Sequence, residues 1–238
     1  NTPLRVVDKF SAKIAEGELI TLFGPNGCGK STILNMLSGT FKPDSGSIVW
    51  NDNHTDSIAI GYVFQNYADS LLPWRSVRDN IAFPLEIGQF SKQDKIDKVS
   101  SWMEQFRLAE HADKYIYQLS GGRKQLVAIA RSTVYNPRLL VLDEPFSALD
   151  YSLSRMMWVQ FRKLWSDIKV TTVFVSHNVD EAVFLGDRVF VLSPRPTQVI
   201  AEIDVPFGRN RSLDLLSSQD FFSIRSRVLT SFEEGLKA

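Results

Sequence analysis

Residues 24–32 read Gly-Pro-Asn-Gly-Cys-Gly-Lys-Ser-Thr, a complete glycine-rich phosphate-binding pattern. The apolar run before it, Leu19–Phe23, predicts a buried strand, and Ile33–Leu37 after it predicts the start of a helix. In this order of elements, successive backbone N–H groups can surround one anion at the positive end of the helix. The stretch therefore predicts a nucleotide-binding α/β fold.

The residue types within this loop each suit a phosphate ligand. Lys30 can reach the β- and γ-phosphates, and the hydroxyl of Ser31 can ligate Mg²⁺. A glycine turn beside a surface lysine is the alternative, and the flanking strand and helix disfavour it. The predicted nucleotide-binding residues of the loop are Gly24, Pro25, Asn26, Gly27, Cys28, Gly29, Lys30, Ser31 and Thr32.

Composition narrows the class of protein. The 238 residues suffice for one large domain or two closely joined lobes. Lys and Arg total 27, as do Asp and Glu, and this zero net charge predicts no nucleic-acid partner. The single cysteine, Cys28, cannot form an internal disulfide, which fits a reducing cytosol. No apolar stretch approaches 18 residues, and the polar N-terminus predicts no signal peptide.

Hydrophobic periodicity divides the chain into a core and an insertion. Residues 68–136 show a helical period, with Val99, Trp102, Met103 and Phe106 on one face. Apolar runs at 138–142 and 171–175 flank a helix at about 151–167, which predicts parallel strands buried on both faces. We therefore predict a nucleotide-binding core of 1–67 and 137–238 around a helical subdomain of 68–136. Further strands are predicted at 4–10, 46–50 and 58–64, and one or two terminal helices at 213–236.

A second half of the phosphate site is predicted where the apolar run 139–142 ends in two acids. Ligands of open α/β sheets bind beyond the carboxyl ends of the strands, where these acids lie. Asp143 can hold Mg²⁺ through a water, and Glu144 can polarise an attacking water. Acids that merely cap the next helix are the alternative, which the upstream phosphate loop disfavours.

The tetrapeptide Leu119-Ser120-Gly121-Gly122 follows the helical insertion. With it, nearly the whole chain resembles the nucleotide-binding subunits of ATP-binding cassette (ABC) transporters. That resemblance implies the ABC ATPase fold: a P-loop NTPase (RecA-like) core with an antiparallel β subdomain and an inserted helical subdomain. It also implies that Ser120, Gly121 and Gly122 bind the γ-phosphate of an ATP held by a second ATPase subunit, so that two ATP molecules lie head to tail.

The remaining family motifs imply roles for further residues. Gln65 matches the glutamine that touches Mg²⁺ and the attacking water, and Asp150 ends the loop that crosses the dimer interface. His177 matches the histidine that contacts the γ-phosphate and helps orient Glu144 and water. The resemblance thus implies the catalytic residues Glu144, His177, Gln65 and Lys30 and the Mg²⁺ ligands Ser31, Gln65 and Asp143. We expect His54 and His111 to be surface residues.

The chain departs from the family pattern at three points. The tetrapeptide is followed by Arg123 where the family commonly has Gln or Met, and by Leu126 where it commonly has Arg. We expect Arg123 at a helix surface, and we expect the charge lost at Leu126 to change how the insertion is oriented. The family stacks adenine on an upstream aromatic residue. Phe10 here is predicted to be a core strand residue, so either the platform lies outside this sequence or base stacking is weak.

Partners follow from the resemblance. The stretches 72–81 and 192–196 are similar to importer subunits of the nitrate, sulfonate, taurine and bicarbonate group. This implies an integral membrane permease, a second ATPase subunit (identical or a paralogue), an external solute-binding protein, and a position on the cytoplasmic face of the plasma membrane. The apolar stretch 67–74 can form the permease groove, with Leu71 and Leu72 equally suited to the core. An exporter or lipid-extracting ATPase subunit and a soluble ABC ATPase of translation or DNA repair are the alternatives.

Overall fold

A six-stranded sheet forms the centre of the computed structural model, which describes residues 4–50, 53–54, 58–66, 70–88 and 90–237. The strands are β1 Leu19–Phe23, β2 Val49–Trp50, β3 Asn53–His54, β4 Ile60–Val63, β5 Leu139–Asp143, β6 Thr171–Ser176, β7 Arg188–Leu192 and β8 Val199–Asp204. The order in the six-stranded sheet is β4-β5-β6-β1-β7-β8; β8 runs antiparallel to β7 and the other neighbours pair in parallel. The two short strands β2 and β3 form a separate antiparallel pair.

Seven α-helices surround and extend this sheet within the described ranges. They are α1 Lys30–Leu37, α2 Val77–Ile87, α3 Lys92–Gln105, α4 Gly121–Thr133, α5 Tyr151–Ile168, α6 Val179–Leu185 and α7 Gln219–Lys237. Short 3-10 turns occur at Ala109–His111, Ile116–Gln118 and Leu213–Ser217. The turn at 213–217 and α7 confirm the predicted terminal helices.

The central strands are buried along their whole length, which explains their unbroken apolar character. Every residue of β1, β5 and β6 is buried, so these strands have helices on both faces. The parallel strands predicted at 138–142 and 171–175 are therefore confirmed, as is the helix between them.

The register aligns the carboxyl ends of these strands at one edge of the sheet. Val63 of β4 pairs with Leu142 of β5, and Asp143 pairs with Val175 of β6. In the same way Phe23 of β1 lies opposite Ser176 and also opposite Val191 of β7. The residue that follows each strand therefore emerges at the same edge, where ligands of such sheets bind.

Helices α2, α3 and α4 lie in the stretch predicted to be a helical insertion. The predicted face of α3 is confirmed, since Val99, Met103 and Phe106 are buried and Trp102 packs against the same core. Ser91 caps α3 in a capping box with Asp94, so polar side chains satisfy its first N–H groups. The boundaries of the two lobes stay a prediction.

Helix α4 packs directly on strand β4. The hydroxyl of Ser132 donates to the backbone carbonyl of Tyr62 at 3.1 Å. The hydroxyl of Tyr135 donates to the backbone carbonyl of Ile60 at 2.8 Å. Gly61 lies between these contacts, and a Cβ there would collide with the carbonyl oxygen of Ser132. Glycine is required at this position because the helix backbone touches the strand.

Two predicted strands at the edge of the fold are wrong in extent. Residues 4–10 form only a bridge between Val7 and Thr197, because Lys9 adopts a left-handed φ of 50° that ends the extended backbone. Phe10 is consequently half-buried against the core, not part of a strand. The strand predicted at 46–50 is reduced to β2, since Gly46 has a φ of 85°. The strand predicted at 58–64 is confirmed as the shorter β4.

Predictions for single side chains had mixed outcomes. His111 is buried, 6% exposed, because its 3-10 turn packs against α3, so the surface prediction was wrong. Burial, followed by the nearby charge of Arg123, lowers the pKa of His111. The side chain of His54 lies outside the described residues. Arg123 is exposed as expected, and Leu126 is buried in the core.

Leu71 belongs to the core of the helices, whereas Leu72 is half-buried and Trp74 is 71% exposed. Residues 67–69 of the predicted permease groove lie outside the described residues. Among the described residues, no helix is both long enough and apolar enough to cross a membrane.

Candidate functional site

The ends of four adjacent strands bring the predicted site residues together. Gln65 follows β4, Glu144 follows β5, His177 follows β6, and the phosphate loop follows β1. They enclose a cleft of about 810 Å³. Its lining residues are Asn26, Gly27, Gly29, Lys30, Ser31, Thr32, Gln65, Asn66, Glu144, Ser147, Ala148, His177 and Arg195.

The phosphate loop owes its shape to glycines. Gly27 and Gly29 have φ values of 72° and 128°, which residues with a side chain rarely adopt. Gly29 is also closely packed, since a Cβ there would lie 2.9 Å from the side chain of Val6 and 3.1 Å from the hydroxyl of Thr197. That hydroxyl donates to the carbonyl of Cys28. The loop is thus held from outside, and Cys28 is buried beneath it.

Lys30 is held inside the loop. Its side chain is buried, and Nζ donates to the carbonyl of Gly24 at 2.9 Å and to that of Pro25 at 3.0 Å. These two carbonyls replace part of the hydration shell that the ammonium loses on burial. The charge therefore lies at the floor of the cleft, where an anionic ligand can reach it.

Asp143 and Ser31 form a pair beside the lysine. Asp143 is buried, and burial raises the pKa of its carboxyl group, against which the hydrogen bond from Ser31 acts. A hydroxyl, a carboxylate and the nearby amide of Gln65 are oxygen donors of the kind that Mg²⁺ prefers. Within the described ranges no group of three His, Cys, Asp or Glu side chains could hold a metal alone. The set therefore fits Mg²⁺ that takes its remaining ligands from phosphate and water.

Glu144 contacts both Gln65 and His177 on the side of the cleft that faces the phosphate loop. Its Oε2 accepts from the amide of Gln65 at 3.3 Å and lies 2.9 Å from Nδ1 of His177. Glu144 has a φ of 45°, and its own N–H donates to the carbonyl of Val175. Such backbone strain is sustained only where surrounding contacts hold it, here the link to β6 and the hydroxyl of Ser147, which donates to the carbonyl of Glu144. The arrangement aims a carboxylate into the cleft between an amide and an imidazole.

Some predicted site residues lie elsewhere. Gly24, Pro25 and Cys28 are outside the cleft lining and support Lys30 or the core instead. Asp150 caps α5, accepting from the N–H groups of Ser152 and Leu153. Ser120, Gly121 and Gly122 open α4; the first two are exposed, and none of the three borders the cleft. Their predicted roles need a second subunit and stay predictions.

Sequence reasoning missed Arg195, which lines the cleft, and Glu181, which supports it. Arg195 was quoted only as part of a family-like stretch, and an arginine beside prolines carries no catalytic signal. Glu181 follows His177 by one helical turn. It is buried and accepts from Nε1 of Trp158 at 2.8 Å and from the hydroxyl of Ser176. A buried glutamate four residues after a site histidine was the available clue.

Replacing Glu181 with Gln removes a pH-dependent loss of stability. Burial is the main cause that raises the pKa of Glu181 to about 7, with Glu144 as a further negative neighbour. Because the folded-state pKa exceeds the unfolded one, the native state binds the proton more tightly. The contribution of Glu181 to stability is full below pH 4 and is lost as the pH rises through about 7.

We expect Glu181→Gln to match the wild type at pH 5 more closely than at pH 8, where it gains on the order of 1–3 kcal/mol relative to the wild type. Glutamine keeps an acceptor for Trp158 and a polar group for Ser176. Urea unfolding of both proteins across this range measures the difference. Asp220→Asn, at an exposed position in the first turn of α7, is the control, and parallel pH profiles for wild type and Glu181→Gln would contradict the assignment.

Comparison with known proteins gives the same picture. The model of the family described as "ABC transporter" matches residues 7–147. An uncharacterized ABC transporter ATP-binding protein of Methanocaldococcus jannaschii is 35% identical over 97% of this chain and 85% of its own length. The taurine import ATP-binding protein TauB of Escherichia coli O157:H7 is 35% identical over 98% and 93%. The spermidine/putrescine import ATP-binding protein PotA of Marinobacter nauticus is 44% identical over 79% of this chain, which spans about half of PotA.

Solved structures share the fold. The ABC transporter cassette MJ0796, determined as a dimer, superposes with a TM-score of 0.71 at 28% identity, covering 85% of this chain and 92% of that one. CbiO1 of Clostridium perfringens superposes with a TM-score of 0.77 at 23% identity, covering 96% and 91%, a likeness of fold. The family match and the full-length relatives agree with the loop, the tetrapeptide and the strand-end cluster. The chain therefore belongs to the ABC transporter family and is one of its ATPase cassettes.

Proposed function

We propose that this chain binds MgATP in the 810 Å³ cleft and hydrolyses its β–γ phosphate bond to drive solute import through a separate permease. The observation that carries the proposal is the position of Glu144. Its carboxylate is hydrogen-bonded to Gln65 and His177, across the cleft from the phosphate loop. A water between the carboxylate and a loop-bound γ-phosphate is thereby oriented for in-line attack.

Lys30 and the amides of the loop hold the β- and γ-phosphates. Lys30 leaves the carbonyls of Gly24 and Pro25 for the phosphate oxygens, so the charge needs only a short movement. Ser31, Gln65 and Asp143 would hold Mg²⁺, which when bound neutralises charge on the phosphate oxygens. Glu144 accepts the proton of the attacking water, and His177 holds the carboxylate in place and contacts the γ-phosphate. Asn26, Gly27, Gly29 and Thr32 complete the binding surface.

Hydrolysis in this proposal needs two subunits. Ser120 and Gly121 are exposed at the start of α4, where the hydroxyl of Ser120 lies at the positive end of the helix dipole. They and Gly122 would bind the γ-phosphate of an ATP held by the second subunit, with Asp150 at the interface. The MJ0796 cassette is a dimer and has also been solved with ADP and Pi, which supports this assembly.

The direction of transport and the class of solute rest on the relatives. TauB is named for taurine import and aligns with nearly the whole chain. We therefore favour a small anion, such as taurine, another sulfonate, nitrate or bicarbonate, delivered by an external solute-binding protein. A polyamine is the second candidate, because PotA is 44% identical over its shorter aligned region. The chain would lie on the cytoplasmic face of the plasma membrane, with exposed Trp74 in the permease contact. An exporter or lipid-extracting role, or a soluble one, is the competing class.

The experiment is to purify the tagged full-length protein from its native membranes and identify its partners by mass spectrometry. We expect an integral permease and a solute-binding protein. Calorimetry of that binding protein with taurine, nitrate, bicarbonate, spermidine and putrescine then distinguishes anion from polyamine import. A permease without a binding protein would contradict import, and ribosomal or DNA-repair partners would contradict transport.

A further inference from the structure

Arg195 is a cationic side chain in the cleft that has no role in the proposed hydrolysis. It follows β7 in the connection to β8, is exposed, and lines the cleft. Its guanidinium makes no hydrogen bond or ion pair with any part of the chain that the structure describes, unlike the buried Arg162 and Arg211. An arginine that borders a ligand cleft and is unengaged is available to a ligand.

The order of the strands says which end of the nucleotide Arg195 faces. Along the carboxyl edge, Gln65, Glu144 and His177 follow β4, β5 and β6, all on one side of the loop after β1. Strand β7 lies on the other side of β1 and runs parallel to it, so Arg195 emerges at the same edge, across the loop. The hydrolytic residues require the γ-phosphate on their side. A nucleotide laid across the loop therefore has its nucleoside on the side of Arg195.

The backbone that carries Arg195 is fixed to the phosphate loop. Two residues later, Thr197 is fully buried, donates its hydroxyl to the carbonyl of Cys28, and packs on Gly29. Thr197 also exchanges backbone hydrogen bonds with Val6 and Asp8. Pro194 and Pro196 restrict the chain on both sides of Arg195. The position of Arg195 relative to bound phosphates is therefore set by the fold.

We propose that Arg195 binds the nucleoside part of ATP by laying its guanidinium plane against the adenine ring. Arginine stacks on flat π-systems through a delocalised, weakly hydrated cation, whereas lysine presents a compact charge. Arg195 lines the cleft and is exposed, so its guanidinium can lie against one face of a purine bound on this side of the loop. The inference rests on the proposed function, since it assumes ATP in the cleft, and it adds a residue that contacts the base.

The test measures equilibrium binding, using calorimetry with a non-hydrolysable ATP analogue, the matching GTP analogue and inorganic tripolyphosphate, each with Mg²⁺. We expect Arg195→Ala and Arg195→Lys to weaken both nucleotide analogues about tenfold and to leave tripolyphosphate binding unchanged. Equal losses for the two nucleotides are expected because stacking does not read the base edge. Arg138→Ala, exposed at the amino end of β5 on the opposite edge of the sheet, is the matched control and should bind like the wild type.

Two results would overturn the inference while the proposed function stands. One is unchanged nucleotide binding by Arg195→Ala. The other is a loss that tripolyphosphate shares and that lysine restores, which would make Arg195 a phosphate ligand. A wild-type protein that binds neither nucleotide nor tripolyphosphate would overturn the proposed function and this inference with it. Circular dichroism of each variant identifies any that fail to fold, and Arg195→Gln then replaces alanine as the variant without a cation.

Discussion

Replacing Glu144 with Gln is expected to lower the rate of ATP hydrolysis about a thousandfold, because the cleft loses the carboxylate that we propose accepts the proton of the attacking water. Glutamine has the same shape and keeps an oxygen for Gln65 and His177. The phosphate loop is untouched, so we expect MgATP to bind as it does to the wild type. Phosphate release measures the rate, and calorimetry measures binding. Glu110→Gln, at an exposed position outside the cleft, is the control for loss of a carboxylate.

The same substitution reports on the second subunit. An enzyme that binds MgATP and cannot cleave it is expected to accumulate as a closed dimer, detectable by light scattering after gel filtration. Adding Ser120→Arg to Glu144→Gln puts a bulky cation at the exposed start of α4, and should return the protein to monomers. Hydrolysis by Glu144→Gln at the wild-type rate would refute the role of Glu144. Dimers that persist in the double variant would refute the role of Ser120.

The second large effect is on stability. Gly61→Ala places a methyl group against the carbonyl oxygen of Ser132, with Leu140 and Pro137 at 3.1 and 3.3 Å. The oxygen belongs to the backbone of α4 and cannot rotate away, so helix and strand must separate. We expect a loss of about 3 kcal/mol, at the upper end of overpacking, and a fall in melting temperature of roughly 6–12 °C.

Differential scanning calorimetry and urea unfolding measure this loss. Gly208→Ala is the matched control, because a Cβ at Gly208 meets nothing within 4 Å, and its stability should stay within about 0.5 kcal/mol of the wild type. If Gly61→Ala were as stable as Gly208→Ala, the close packing of α4 on β4 would be wrong.

The core of the fold could be predicted because its central strands are buried at every position. Runs such as 139–142 are apolar at every position since both faces are covered, and the acids that follow them stand out. At the edge of the fold this signal fails. Four of residues 4–10 are apolar, which favours a strand, yet Thr197 supplies only one bridge partner there, a tertiary contact that local sequence does not encode.

The candidate site could be predicted where a motif joins chemistry to a turn. The glycines of the loop and the acids after β5 carry their own structural requirements, so Lys30 and Glu144 were found. Arg195 and Glu181 were missed for different reasons. Arg195 reaches the cleft because the sheet order places β7 beside β1. Glu181 is buried and accepts a hydrogen bond from Ser176, the residue before His177. Neither relation has a fixed spacing in the sequence.

Helix α4 is hydrogen-bonded to the sheet near one end. Ser132, near its C-terminus, is hydrogen-bonded to β4, whereas Gly121 at its N-terminus is about 16 Å away, from eleven residues at 1.5 Å each. A tilt of the helix by about 10° around Ser132 would therefore displace Gly121 by about 3 Å, the length of one hydrogen bond. Because β4 ends just before Gln65, a small rotation of this one strand would become a larger displacement of Ser120 and Gly121 at the far end of the helix.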